Sequence, residues 1–237
     1  MARIADPKAK SALLRAAEHV FADRGIAGAK IEDIARGAGL SKGAFYLHFE
    51  SKEAAVKELL EAWFPRCAAF FAAPAEYPDT ISDADAILDF CIERDVQLYD
   101  FLWETRATLR ILHASRSEFL CLFDTFRSDI QGRNREWLTQ WRQEGFLRAE
   151  VDVELAATLM SGAYEELTAK MIRSDARPPL ERWLEFAQDT FMRAFGTTEI
   201  VAALDRRNRR VATGIHEPRQ AAPSGAQVVH RRARGRG

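Results

Sequence analysis

The chain has little of what marks an enzyme, a membrane protein or a secreted domain. It has only three cysteines, Cys67, Cys91 and Cys121, widely spaced and outside any CxxC arrangement. That excludes a disulfide framework and a paired-cysteine zinc site, and it fits reduced thiols in a reducing compartment. No apolar run approaches the roughly 20 residues needed to span a bilayer. The start, MARIADPKAK, has no long apolar stretch and does not read as a signal peptide. A cytoplasmic location with no membrane partner is therefore expected. The five histidines, at 19, 48, 113, 216 and 230, are scattered. There is no nucleophile elbow, no metal-ligand spacing and no phosphate loop, so no catalytic residue, metal or cofactor is expected.

Net charge is also nearly absent, at −1 over 237 residues, yet the charge is unevenly placed. Residues 1 to 67 hold 11 Lys and Arg against 9 Asp and Glu, and residues 68 to 205 hold 14 against 25. Residues 206 to 237 hold nine Arg against the single Glu217. An acidic body with a basic end suggests two different surfaces. A near-neutral chain can still bind nucleic acid, because only the face that touches phosphate must be basic. The 47% hydrophobic and 29% charged content is that of a soluble chain long enough to bury a core.

The most informative segment is IEDIARGAGLSKGAFYLHFESK, residues 31 to 52. Ile31, Ile34, Ala35 and Ala38 recur at helical spacing, and Gly39 follows as a helix stop with φ > 0. Ser41 then supplies the N-cap of a short helix carrying Phe45, Tyr46 and His48. Two short helices joined by a tight Gly-containing turn form a helix-turn-helix, whose second helix fits the DNA major groove. A first helix is expected from about Pro7 to Arg24, ended by Gly25, with Leu13, Leu14, Ala17, Val20 and Phe21 on its apolar face. A fourth is expected from Ser51 to about Ala73, kinked or broken at Pro65.

Beyond a loop at APAEYPDTISD the pattern is helical throughout. Apolar stripes run over residues 83–114 and 117–144, the second closed by Gly145. Asp152 starts a further helix, and LERWLEFAQDTFMRAF forms the last. With no convincing strand or repeat, the chain reads as all-α. Residues 7–67 read as a DNA-binding domain, 68–200 as a second helical domain, and 206–237 as a basic, disordered tail. That tail either attracts phosphate non-specifically or is dispensable.

The stretch AAEHVFADRG…IEDIARGAGLSKGAFYLHFESKEAAVKELL, about residues 8 to 60, closely resembles the DNA-binding domain of the TetR family of bacterial transcriptional regulators. Phe21 and Gly25, Ile34-Ala35, Ala38-Gly39, Phe45-Tyr46-x-His48-Phe49 and Ser51-Lys52-Glu53 carry the resemblance. On physical grounds Phe45 and Phe49, four apart, pack inward, and Tyr46 is free to place its hydroxyl on a phosphate. Lys42 and Ala44 stand at the helix N-terminus, where side chains reach base edges, and Gly43 allows close approach. Lys42 is the expected base reader, since Lys suits guanine O6 and N7. The resemblance implies that Tyr46, His48 and Lys52 contact the phosphate backbone or adjacent bases. His48 has a second reading, as a structural hydrogen bond that orients the helix. Lys52 also lies beside a helix N-terminus that favours phosphate. One departure stands out: the family usually has Thr or Ser where this chain has Lys30. Lys30 keeps a phosphate contact by charge but cannot supply the cap. The DNA contacts expected are thus Lys30, Ser41, Lys42, Gly43, Ala44, Tyr46, His48 and Lys52.

The same resemblance implies a small-molecule pocket and a dimer interface beyond about residue 70. Tyr99, Trp103, His113, Phe123 and Trp137 are candidate pocket residues, against the reading that each is ordinary core. Small residues Ala156, Ala157, Ser161, Gly162 and Ala163, with the apolar face of the last helix, can form half of a two-fold four-helix bundle. The implied function is a homodimeric repressor that binds double-stranded palindromic DNA and is released by a small-molecule effector. The alternative is a DNA-binding regulator switched by thiol oxidation or a protein partner.

Overall fold

A computed structural model describes residues 6–71, 83–115, 117 and 119–212. Among them the protein is all-helical with no strand, only an isolated bridge between Leu147 and Gly196. The N-terminal region comprises α1 (Pro7–Gly28), α2 (Ile31–Gly37), α3 (Lys42–Tyr46) and α4 (Lys52–Ala68), the last extended by a 3-10 turn over Ala69–Phe71. The Asp6 side chain caps α1 by accepting from the Lys8 N–H at 2.9 Å. Gly25 adopts φ 67°, but it kinks α1 rather than ending it, and the helix resumes to Gly28. Leu13, Ala17, Phe21, Ile34, Phe45 and Phe49 close over one another as a small core. Each large apolar side chain there contributes about 1.5–3 kcal/mol by burial.

The helix α4 runs through Pro65 without a break. Proline at that position removes the partner of the Glu61 carbonyl, and Glu61 is exposed, so water can take the proline's place. The C-terminal helices are α5 (Ala84–Glu104), α6 (Arg106–Ala114), α7 (Leu120–Gln143), α8 (Val153–Ile172), α9 (Leu180–Phe195) and α10 (Thr198–Ala212). The single stripe expected over residues 83–114 is divided at Thr105. Its hydroxyl donates to the Phe101 carbonyl at 2.8 Å and accepts from Trp63 Nε1 at 2.9 Å, tying the α5–α6 corner to α4. Asp152 caps α8 by accepting from the Leu155 N–H at 3.1 Å.

The expected boundaries at 200 and 206 need correction. Residues 198–212 form α10, so the first arginines of the basic segment belong to a packed helix and not to a tail. Ile200, Ala203 and Leu204 recur at i, i+3 and i+4 and are buried with Ile87, Leu88 and Met192. On the same helix Arg206 pairs with Asp85 at 2.6 Å and Arg207 with Asp89 at 3.4 Å. Apolar spacing, invisible in mean composition, decides the outcome. Residues 213–237 and the expected loop at 73–82 lie outside the described residues.

Candidate nucleic-acid interface

The turn between α2 and α3 is a Schellman motif. Gly39 at φ 69° lets Leu40 N–H donate to the Ala35 carbonyl at 2.8 Å, and Gly39 N–H to that of Arg36 at 3.0 Å. Ser41 Oγ then accepts from the Ala44 N–H at 3.2 Å, which fixes where α3 begins. Phe45 is fully buried, and its ring lies 5.3 Å from that of Phe49. This anchor holds α3 so that Lys42, Gly43, Tyr46 and Leu47 face outward, with Tyr46 about half exposed at 51%. Ala44 and His48 are half-buried, the His48 ring lying 6.3 Å from that of Phe49. Lys30 is exposed and makes no side-chain cap. Only its backbone carbonyl serves α2, accepting from Asp33 N–H at 3.0 Å.

Besides Ser41, whose hydroxyl caps α3, two of the expected DNA contacts are already engaged within the protein. Lys42 Nζ lies 2.6 Å from Glu32 on α2, and each holds the other charged: the lysine pKa is raised and the carboxyl pKa lowered by their mutual hydrogen bond. Lys52 Nζ donates to the carbonyls of Ile26 at 2.7 Å, Ala29 at 2.9 Å and Ala27 at 3.4 Å. Those carbonyls lie at the end of α1, where few backbone donors remain, so Lys52 fastens the start of α4 to the approach of α2. Three acceptors thus converge on the one ammonium. Sequence reading missed Glu32 and the exposed Leu47. The signal for Glu32 was a carboxylate in the first turn of α2, on the partner helix of the pair.

Behind this surface lies a cavity of about 400 Å³. Trp63 and Cys67 of α4 form one wall, with Leu98 and Tyr99 of α5, Leu109, Leu112 and His113 of α6, and Phe123 and Phe126 of α7. Of the five expected pocket residues, Tyr99, His113 and Phe123 line it. Trp103 and Trp137 do not. Trp103 lies under the Arg106 guanidinium, 4.4 Å from its ring centroid, and Trp137 is buried in the second core cluster. Trp137 is therefore a core residue, as its alternative reading had it.

One end of the cavity is polar, and sequence reading missed it. Arg94 Nη2 donates to Asp95 Oδ1 at 3.2 Å, while the Tyr164 hydroxyl donates to Asp95 Oδ2. The Tyr99 hydroxyl donates to the Tyr164 carbonyl at 2.9 Å and lies 3.2 Å from Thr168 Oγ1. Burial pushes both phenols above their ordinary range, and the Asp95 carboxylate pushes Tyr164 further. Burial also lifts the Cys67 thiol to about 12, so it stays protonated and unreactive near neutral pH.

An all-helical chain that presents α3 of a helix-turn-helix on its surface, beside a helical body, belongs to the class of DNA-binding transcription regulators. Residues 13–59 match the family described as bacterial regulatory proteins, tetR family. The match covers the helix-turn-helix region and its two flanking helices, not the helical body. It is 29% identical over 150 residues to the HTH-type transcriptional repressor KstR2 of Mycobacterium tuberculosis, covering 60% of this chain and 71% of that protein. In fold it is similar to the fatty acid degradation regulator FadR of Bacillus halodurans, with TM-score 0.63 at 18% identity over 80% of this chain and 97% of that one. It is similar also to SmeT, the repressor of a Stenotrophomonas maltophilia multidrug efflux pump, in its complex with triclosan. There the TM-score is 0.63 at 21% identity over 81% and 93% of the two chains. These likenesses fit a transcription regulator that binds DNA through its helix-turn-helix. Among the described residues no helix is long and apolar enough to cross a membrane.

Proposed function

We propose that the protein acts as a homodimer on a palindromic operator and is released from it when a small molecule fills the cavity behind α4. The observation that carries this reading is the shared wall. Trp63 and Cys67 line the cavity and belong to the helix whose first residue, Lys52, holds the end of α1 beside the helix-turn-helix. A second tie runs from α6, where Thr108 donates to Glu18 of α1. An occupant that displaced α4 or α6 would move α3 with them. The resulting change in spacing between two α3 helices would favour one DNA affinity over another.

The reading also needs a dimer face. Leu155 and Leu159 on α8 are each 62% exposed, and Phe186 on α9 is 74% exposed. They supply an apolar patch on adjacent helices, suited to a two-fold four-helix contact. The small residues Ala156 and Ala157, expected on that face, are instead buried within the subunit. Gly162 and Ala163 remain exposed beside Leu159. Two α3 helices in successive major grooves would lie about 34–36 Å apart.

Genomic footprinting with the purified protein tests the reading. Protected palindromes occupied by two protomers support it. Protection without sequence preference, or by one protomer, contradicts it. Switching by thiol oxidation finds no support at Cys67 or Cys91, both buried with the thiol pushed up to about 12.

A further inference from the structure

The charges on the cavity wall narrow what it can hold. Each carboxylate there already has its own partner. Asp95 accepts from Arg94 at 3.2 Å and from the Tyr164 hydroxyl. Glu165 pairs with Arg127 at 3.2 Å, and Glu166 with Arg173 at 2.9 Å. A cationic ligand would have to displace one of these partners, and at Asp95 it would strand a buried guanidinium. An anionic ligand meets the opposite difficulty. Arg94 is matched by Asp95, Arg127 by Glu165 and Arg173 by Glu166, so no guanidinium at the wall has a charge left over for an anion. Burying a further unpaired anion in that setting is unfavourable.

What the wall does offer is donors. A guanidinium carries five N–H groups, and the Asp95 bond uses one of them. Arg94 lines the cavity with its side chain 21% exposed, steadied over the Trp137 ring at 5.0 Å. Most of the remaining wall is aliphatic or aromatic. At about 400 Å³ the space lies within the range of roughly 300–1,000 Å³ typical of sites for drug-sized molecules.

We infer that the cavity takes an uncharged, mainly apolar molecule that presents a neutral oxygen acceptor, such as a ketone, to Arg94. This inference rests on the reading of the cavity as the effector site and adds the chemical class of its occupant. It assigns Arg94 the anchoring role, with Asp95 and Tyr164 positioning the guanidinium and offsetting its charge.

The full chain can be titrated with three probes of equal chain length: 2-nonanone, nonanoate and nonylamine. Occupancy is read from quenching of intrinsic tryptophan fluorescence, since Trp63 is in the wall, and from the melting temperature. The ketone is expected to quench and to raise the melting temperature. The two ions are expected to bind at least tenfold more weakly. Arg94→Lys keeps the charge opposite Asp95 but loses the guanidinium fork, and should weaken 2-nonanone about tenfold or more. Leu98→Trp, which fills the cavity, should abolish ketone binding while leaving the fold intact by circular dichroism. Binding of nonanoate or nonylamine as tight as that of 2-nonanone overturns the inference, as does no ketone binding at millimolar concentration or an unchanged Arg94→Lys. DNA release is measured separately. A ketone that binds without releasing DNA removes the effector reading and leaves the ligand class standing. Release by nonanoate but not by the ketone does the reverse.

Discussion

The DNA-facing region and the cavity differ in how far apart in the chain their parts lie. The interface is assembled from residues 30 to 52, so helix spacing, one glycine stop and one serine cap specify it locally. The cavity draws on five helices between Trp63 and Ile172, and no short segment contains its pattern. The first region holds a rigid geometry through a packed aromatic anchor and two caps. The second keeps space open between helices, which gives it room to respond. The proposed release from DNA needs both: a stiff reader and a body with more than one arrangement.

That contrast can be tested first by truncation. Phe45→Ala removes a fully buried ring at the base of α3 and should cost about 3–5 kcal/mol in chemical unfolding, with loss of DNA binding. Phe126→Ala enlarges a cavity that already exists and removes a half-buried ring, so its cost should be smaller. Equal costs would erase the distinction between a packed reader and an open body.

A smaller effect is expected at Lys52. If its ammonium holds the end of α1, Lys52→Met should lower stability by about 1.5–3 kcal/mol, through loss of charge-assisted hydrogen bonds. The salt dependence of DNA binding should then hardly change. A drop of about one in the logarithmic salt slope with unaltered stability would instead assign Lys52 to phosphate.

Glu32→Gln probes the reading surface itself. The substitution frees Lys42 from its carboxylate partner. Affinity for random duplex should rise a few-fold, and the salt slope should steepen by about one. An unchanged affinity and slope would mean that the pair is open whenever DNA is bound, whatever residue 32 is.

The smallest effects concern the thiols. Cys121 is exposed and should react with an aromatic disulfide reagent in the native protein, while Cys67 and Cys91 should react only after unfolding. Because burial lifts these two thiols to about 12, they remain protonated in the fold at pH values where an unfolded chain ionises them, above about 8.5. Their contribution to stability is present below that value and falls as pH rises toward 12. Urea midpoints at pH 8 and pH 10 should show the decline, and a midpoint unchanged or higher at pH 10 would contradict it.

Legibility in the sequence followed the same locality. The helix starts at Ser41 and Asp152 and the turn at Gly39 were readable because each acts within a few residues of itself. The break at Thr105 was not, since the indole that holds its hydroxyl is 42 residues away. The helix over 198–212 was hidden by its arginines, although the spacing of Ile200, Ala203 and Leu204 already marked a buried face. In the cavity, aromatic spacing gave the inward side of α5, α6 and α7 but not which neighbours each ring would meet. Trp137 therefore fell into the second core cluster while Tyr99 reached the cavity. Asp95 did carry a signal: it lies four residues after Cys91 and four before Tyr99, on the buried stripe of α5, where an acidic residue needs partners.

The central claim is that the exposed face of α3 reads base sequence, with Lys42 as the reader. The direct measurement is the affinity of the wild type and of Lys42→Ala for a footprinted palindrome and for random duplex of equal length, at one stated salt concentration. The account predicts a wild-type preference of about a thousandfold or more for the palindrome. In Lys42→Ala that preference should shrink by about five- to a hundredfold, the equivalent of about 1–3 kcal/mol of base discrimination. Equal wild-type affinity for the two duplexes, or a preference untouched by the substitution, would contradict it.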